Sequence, residues 1–255
     1  MKRMNHIIVA TAVGLSIFIG GCTGEAQERN KEIEKEMTVE RLPLEDFFKN
    51  PEKSSYQISP DGAHYSFMAP YENRMNVFVR PVGSQEAIRV TDVRDRDIAG
   101  YTWANNNRIV YLKDSGGDEN YAIYGVNIDG SEFTPLTEFE GVRTEWIDDL
   151  EGDDDHILVG LNQRDATIFD PYRLNVLTGE LTMLAENPGN ISDWVVDHNG
   201  ELRVATTTDG VNTSLLYRPT VKDEWQTVLT TNFRESMSPL FFTFDNKDLY
   251  ASSNL

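Results

Sequence analysis

The sequence predicts an all-β fold made of repeated four-stranded units, and three observations lead to it. A unit of about 46 residues recurs along the 255-residue chain, and a fifth copy has begun when the sequence reaches Leu255. Each copy opens with a short apolar strand followed by a polar turn. Each complete copy then holds further short segments that alternate apolar and polar residues. A period in this range with four strands per period is typical of the blades of a β-propeller.

The polar turns define the period. Counted from Pro60 through Ala104, Glu151, Asp197 and Asp245, the steps are 44, 47, 46 and 48 residues. The blades are expected at approximately 56–92, 98–138, 144–186 and 191–232, with an incomplete fifth at 239–255. The sequence therefore predicts four four-stranded blades plus the start of a fifth, which is a partial ring.

The second repeat shows the expected anatomy most clearly. Residues 108–113 and 121–127 alternate β-branched or aromatic residues with others, and a polar loop joins them. Asp129-Gly130 then forms a hairpin turn before the fourth segment. Parallel strands would need crossover connections of about a dozen residues or more, usually helical, and the repeats contain none. An antiparallel sheet in each repeat is the consequence.

Composition bounds the function. Hydrophobic residues make up 39% of the chain and aromatic residues 10%, enough for a packed core. The formal net charge is −19, and the sequence has no basic cluster after Arg3. Nucleic acid would require a basic face, so it is excluded as a partner. The acidity fits solubility outside the cytoplasm.

The N-terminus carries an export signal. Lys2 and Arg3 precede an apolar segment at 7–19, which is shorter than the roughly 20 residues needed to span a bilayer. Ile19-Gly20-Gly21-Cys22 resembles the lipobox of bacterial lipoproteins, in which the peptide is cut before the cysteine and the cysteine carries the lipid. Cys22 is the only cysteine of the chain. A secretory signal with an incidental cysteine is the alternative.

The lipobox resemblance implies a division of the chain into three parts. Residues 1–21 form a lipoprotein signal peptide, 22–41 a polar, lipidated tether, and 42–255 the partial propeller. The expected location is the bacterial cell envelope, at the outer membrane or facing the periplasm, with the membrane contacted through the lipid anchor.

A further resemblance is carried by the order of three segments. Residues 44–48 (LEDFF), 58–62 (ISPDG) and 65–67 (YSF) together resemble the N-terminal start of the prolyl oligopeptidase family of serine peptidases. The loop at 116–120 (GGDEN), followed by Asp129-Gly130, is similar to the second blade of its bacterial acylaminoacyl-peptidase-like and dipeptidyl-peptidase-like members. The resemblance extends over roughly residues 40–255.

This resemblance implies a propeller that caps an α/β-hydrolase domain. In that family the catalytic serine, aspartate and histidine lie in the hydrolase domain, and none can be placed on this chain. The sequence contains no Gly-x-Ser-x-Gly motif and so no nucleophile elbow. The expected partners are a peptide substrate and the protein's own C-terminal hydrolase domain. A non-catalytic TolB-like propeller that binds peptides or proteins in the cell envelope is the alternative.

One loop is a candidate for a substrate-binding site. Asp118, Glu119 and Asn120 lie between the second and third strands of the second blade. In related dipeptidyl peptidases, propeller carboxylates bind the free amine of the substrate, although those glutamates stand in a different sequence context. The alternative is that Asp118 and Asn120 stabilise the turn through local backbone hydrogen bonds.

No metal or cofactor is expected. The acidic turn at 151–155 lacks the spaced ligands of an EF-hand calcium loop. His64, His156 and His198 are far apart in the sequence, and no spacing suggests a zinc site.

Overall fold

The computed structural model describes residues 41–255, whose regular secondary structure is antiparallel β-strand apart from one short turn. The predicted signal peptide, Cys22 and all but the last residue of the predicted tether lie outside the described residues. A single 3-10 turn, Leu44–Phe47, precedes the strands. In the described part of the chain, no helix has the length and apolar character needed to cross a membrane.

Within residues 41–255, eighteen strands form four four-stranded sheets and one two-stranded sheet. Sheet 1 contains β1 (Ser54–Ile58), β2 (His64–Tyr71), β3 (Arg74–Pro81) and β4 (Ile88–Arg89). Sheet 2 contains β5 (Gly100–Asn105), β6 (Arg108–Lys113), β7 (Ala122–Asn127) and β8 (Thr134–Pro135). Sheet 3 contains β9 (Thr144–Asp148), β10 (His156–Asp165), β11 (Ile168–Asn175) and β12 (Leu181–Met183).

Sheet 4 contains β13 (Ile191–Val196), β14 (Leu202–Thr208), β15 (Thr213–Tyr217) and β16 (Gln226–Thr231). Sheet 5 contains β17 (Met237–Phe242) and β18 (Leu249–Ser253). In every sheet, strands that follow one another along the chain are hydrogen-bonded neighbours, so each sheet is an up-and-down meander. The prediction of an all-β propeller with four complete blades and the start of a fifth is confirmed.

Sheets 2, 3 and 4 are buried on both faces, and successive side chains of their strands point to opposite faces. Ile109 of β6 belongs to the core between sheets 1 and 2, while its neighbour Val110 belongs to the core between sheets 2 and 3. In β10, Val159 faces sheet 2 and Leu158 faces sheet 4. All four side chains are fully buried. This two-sided burial explains why the strands read as short apolar runs.

The repeated polar turn has a local hydrogen-bond pattern. In the first sheet, the Ser59 hydroxyl donates to the Asp61 carboxylate at 2.7 Å, and Gly62 N donates to Ser59 O at 2.8 Å. In the fifth sheet, Thr243 and Asp245 make the same 2.7 Å contact. Asn246 takes the place of Gly62, and both have positive φ, at +58° and +70°. Glycine and asparagine tolerate that conformation best, which accounts for their recurrence in the turn.

These turns also connect neighbouring sheets. Asp61 N donates to Asn106 Oδ1 at 2.9 Å, and Asn105 Nδ2 donates to Asp154 O at 2.8 Å. His198 N donates to Asn246 Oδ1 at 2.9 Å. The asparagines of the turns therefore join the sheets at one end of the strands.

A buried arginine joins sheets 2 and 3 beneath these turns. Arg108, at the start of β6, is 1% exposed, and its Nε donates to Val176 O of sheet 3 at 2.6 Å. Its Nη1 donates to Asn127 Oδ1 at 2.9 Å and to Glu132 O at 3.2 Å. Arg203 of β14 makes the equivalent link between sheets 4 and 5, donating to Asn246 O at 2.9 Å. The guanidinium groups satisfy carbonyl oxygens that the sheet ladders leave free.

Candidate functional site

The loop singled out from the sequence lies between β6 and β7. Asp118 accepts hydrogen bonds from Asn120 N and from Asn120 Nδ2, both at 3.1 Å. Gly116, Gly117 and Glu119 all have positive φ. The structure therefore brings Asp118 and Asn120 together in a tight local turn, and the residues with positive φ allow the backbone to bend there.

Glu119 is placed differently from its neighbours. Its backbone has φ +61°, and its side chain is exposed. Among the described residues, its carboxylate accepts no hydrogen bond, whereas Asp118 is engaged by Asn120. Of the two predicted loop carboxylates, Glu119 is therefore the one free to bind a group from outside the loop.

The sequence analysis did not identify the segment that supports this loop. Residues 92–97 (DVRDRD), called the charged connection here, link sheet 1 to sheet 2. Arg94 lies 3.2 Å from the Glu72 carboxylate in the β2–β3 turn, and Asp95 lies 3.0 Å from Lys113 Nζ. The charged connection is therefore held by ion pairs to the β2–β3 turn of sheet 1 and to the end of β6 in sheet 2.

Its central contact is the pair formed by Arg96 and Asp114. Arg96 Nε donates to Asp114 Oδ1 at 3.1 Å, and the Asp114 side chain is only 4% exposed. The Arg96 hydrogen bond lowers the pKa of Asp114 and outweighs the opposing effect of burial. The second oxygen, Oδ2, is buried and has no partner in the described structure. Asp114 is thus an ionised carboxylate with one unused acceptor beneath the loop.

A cavity of about 480 Å³ lies between sheets 1 and 2 beside the charged connection. Asp95 and Lys113 line its charged side. Tyr111, Tyr124 and Phe133 line its other side as a stacked row with ring centroids 5.4 and 5.9 Å apart. A cavity that combines charged groups with aromatic rings can hold a short peptide by its charged terminus and its apolar side chains.

The described residues offer no pair of nucleophile and base. Nucleophilic catalysis by serine requires a hydroxyl within hydrogen-bond reach of a base. His156 Nδ1 is bound to Asp153 at 3.0 Å, and His198 Nε2 contacts Phe242 O at 3.1 Å. The Nδ1 atom of His64 is buried without a partner. Within residues 41–255, no histidine ring hydrogen-bonds a serine hydroxyl.

The acidic turn considered for calcium is occupied by local contacts. Asp153 accepts from Asp155 N at 3.1 Å and also contacts His156. Across the described part of the chain, no group of three histidine, cysteine or acidic residues lies close enough to hold a metal ion.

The fold and the site together define a class: a propeller domain with charged loops at the ends of its strands. No protein-family model matches the sequence. The chain is 30% identical over 216 residues to dipeptidyl aminopeptidase BIII of Pseudoxanthomonas mexicana, covering 83% of this chain and 31% of that protein. It is 26% identical over 227 residues to dipeptidyl peptidase family member 6 of Caenorhabditis elegans, covering 82% and 30%.

Solved structures agree on the fold. An oligogalacturonate lyase in complex with manganese has a TM-score of 0.56 at 13% identity, covering 78% of this chain and 62% of that one. The tricorn protease has a TM-score of 0.50 at 16% identity, covering 80% and 20%. At this level of identity the likeness concerns the fold alone. The relatives and the fold together support a propeller of the kind found in peptidases, and the chain spans about a third of the curated relatives it matches.

Proposed function

We propose that residues 42–255 are part of the propeller domain of an exported serine peptidase. In this proposal the propeller controls the access of peptides to an α/β-hydrolase domain that lies elsewhere in the protein. The observation that carries the proposal is the 30% identity to a dipeptidyl aminopeptidase over 216 residues. That alignment covers 31% of the relative, which leaves room for a separate catalytic domain.

The two domains would divide the chemistry. A serine of the hydrolase domain would attack the peptide carbonyl, with a histidine as base and an oxyanion hole for the developing charge. The propeller would form one wall of the cavity and exclude large substrates. Its contribution would be positioning, because the described residues contain charged loops but no paired serine and histidine.

The test is labelling of the whole gene product with a fluorophosphonate, which reacts with activated serines. Labelling together with hydrolysis of short peptides is the expected result. A whole gene product that binds peptides but neither reacts nor hydrolyses them would be a binding propeller.

Glu119 is the residue through which the propeller would recognise a substrate amine. In the whole protein, Glu119→Gln should raise KM for peptides with a free N-terminus about tenfold, because a hydrogen bond between charged groups is lost. Peptides with an acetylated N-terminus should be unaffected. Glu140→Gln is the matched control, since Glu140 is also exposed but lies in a different connection. An equal change for both substrates, or no change, would leave the loop with a structural role only.

The lipid anchor is proposed on the sequence alone. Replacing Cys22 with alanine should release the protein from the membrane fraction, because the lipid would have no attachment point. Thr23 at the next position is compatible with sorting to an outer membrane. The measurement is cell fractionation followed by detection of the protein. Equal membrane association of the wild type and the variant would rule out lipidation at Cys22.

A further inference from the structure

A second cavity, of about 450 Å³, lies at the other end of the strands from Glu119. It is formed where the β9–β10 and β13–β14 turns approach β17 of sheet 5. Its walls include charged and aromatic side chains, namely Asp148, Asp149, Arg173, His198, Phe241 and Phe244. Neither the peptidase proposal nor the similarity to known proteins assigns it a role.

Arg173 of β11 has unused donors at this cavity. Its Nε is buried and has no partner in the described structure. The Asp153 carboxylate lies 3.9 Å from its Nη1, which is beyond hydrogen-bond distance. By contrast, Arg164 of β10 donates to both oxygens of Asp170 at 2.9 and 3.0 Å. A guanidinium presents five donors in a planar fork that matches a carboxylate, so Arg173 is available to bind one.

Gly200 allows Arg173 to occupy this position. A Cβ atom added at Gly200 would lie 3.0 Å from Arg173 Nη2 and 2.9 Å from Leu150 Cδ2. The residue also has φ +73°, which side chains rarely adopt. The β13–β14 turn therefore leaves space for the guanidinium at the cavity wall.

The cavity that Arg173 lines also contains carboxylates. Asp148 and Asp149 line the same cavity, as do Glu151 and Asp153. Burial raises the pKa of Asp148, so a nearby cation would favour its ionised form. A purely anionic ligand would be repelled by these groups, and a purely cationic one would leave Arg173 without an acceptor. A ligand that carries both charges satisfies both sides.

The remaining wall is aromatic. The His198 ring stacks on Phe244 with centroids 5.4 Å apart and planes at 21°. Phe244 is 93% exposed and Phe241 is 57% exposed. Aromatic rings presented in this way bind apolar or aromatic groups by stacking and burial.

We propose that this cavity binds a small zwitterion with an apolar side chain, of the size of an amino acid or a dipeptide. Its carboxylate would be bound by Arg173, its ammonium group by Asp148 and Asp149, and its side chain by Phe244. The volume lies within the range of small-molecule sites. The site is separate from the proposed peptide cavity, because the two cavities share no lining residue.

The test is isothermal titration calorimetry on the full chain with four probes. Phenylalanine and glycyl-phenylalanine carry both charges. Whichever binds with the lower Kd shows whether the site fits an amino acid or a dipeptide. N-acetylphenylalanine lacks the ammonium group, and phenylalaninamide lacks the carboxylate. Each of these two should bind about tenfold more weakly or worse, as expected for losing a charged hydrogen bond. If no probe binds, or if either single-charge analogue binds as well as phenylalanine, the proposal is wrong.

Two variants assign the binding to this cavity. Arg173→Met should weaken phenylalanine binding about tenfold or more, and Phe244→Ala should weaken it measurably. Because Phe244 is 93% exposed, its truncation should leave folding intact. Phe244→Ala therefore still tests the proposal if Arg173→Met is unstable. Arg94→Met, in the charged connection, is the control and should bind like wild type. Unchanged binding by Phe244→Ala and by a folded Arg173→Met would place the ligand elsewhere and overturn the proposal.

Discussion

Replacing Arg108 with methionine is expected to lower the free energy of unfolding by about 2–6 kcal/mol, because at least two buried acceptors would lose their donor at a cost of about 1–3 kcal/mol each. The reason is local. Val176 O and Asn127 Oδ1 receive hydrogen bonds from Arg108 at 2.6 and 2.9 Å, and both would lose their donor while buried. The whole free energy of unfolding of a native domain is only about 5–15 kcal/mol, so this substitution would remove a large share of the stability.

The measurement is urea unfolding followed by circular dichroism. Arg108→Lys should give an intermediate loss, because an ammonium group keeps the charge but cannot reach acceptors in both sheets. Arg94→Met is the surface control, since Arg94 is about half exposed and its partners are exposed too. An unchanged urea midpoint for Arg108→Met would contradict the account of how sheets 2 and 3 are joined.

Replacing Asp170 with asparagine is expected to cost about 3 kcal/mol at neutral pH, because its hydrogen bonds are to charged or buried groups. Asp170 is fully buried in β11 and accepts from Arg164 Nε at 2.9 Å and from Asn187 N at 2.7 Å. The asparagine amide would direct N–H groups at the Arg164 guanidinium, which has only donors. The connection between sheets 3 and 4 would be held less firmly, because Asp170 joins Arg164 of β10 to Asn187 in that connection.

The same residue predicts a pH dependence. Burial alone would raise the pKa of Asp170, but the hydrogen bonds from Arg164 and Asn187 outweigh it and lower the pKa below 3.8. A carboxyl with a lowered folded pKa contributes stability above its unfolded pKa and loses it as pH falls through the folded pKa. The difference in stability between wild type and Asp170→Asn should therefore be constant above about pH 5 and shrink below pH 4. A difference independent of pH down to 2 would show that folding does not lower the pKa of Asp170.

The parts of the fold that were predictable from sequence rest on local chemistry. The Ser59–Asp61 turn and its Thr243–Asp245 counterpart form within a few residues, so the repeat is visible in the sequence. Alternation in β6 likewise follows from its two buried faces. Blade number within the chain and the strand order could be derived from these signals.

The rest depends on contacts between distant residues. Arg108 opens a strand and looks like a solvent-exposed charge, yet it bonds to Val176 in the next sheet. The sequence gives one indication that Arg108 is buried, which is Gly125 in the middle of β7. A Cβ atom at that position would lie 2.6 Å from Arg108 Nη2. The Arg96–Asp114 pair could not be inferred either, since alternating charges in a connection do not reveal their partners. At the candidate loop, the sequence identified Asp118, Glu119 and Asn120 but not the burial of the Asp114 carboxylate beneath them.

The central claim is that this chain is the propeller part of a serine peptidase whose catalytic residues lie outside it. Fluorophosphonate labelling of two purified proteins tests it most directly: the whole gene product, and residues 22–255 alone. The account predicts labelling of the first and none of the second, because no serine hydroxyl is paired with a histidine ring among the described residues. Labelling of residues 22–255 would contradict the placement of catalysis outside this chain, and a whole gene product that stays unlabelled would contradict the peptidase itself.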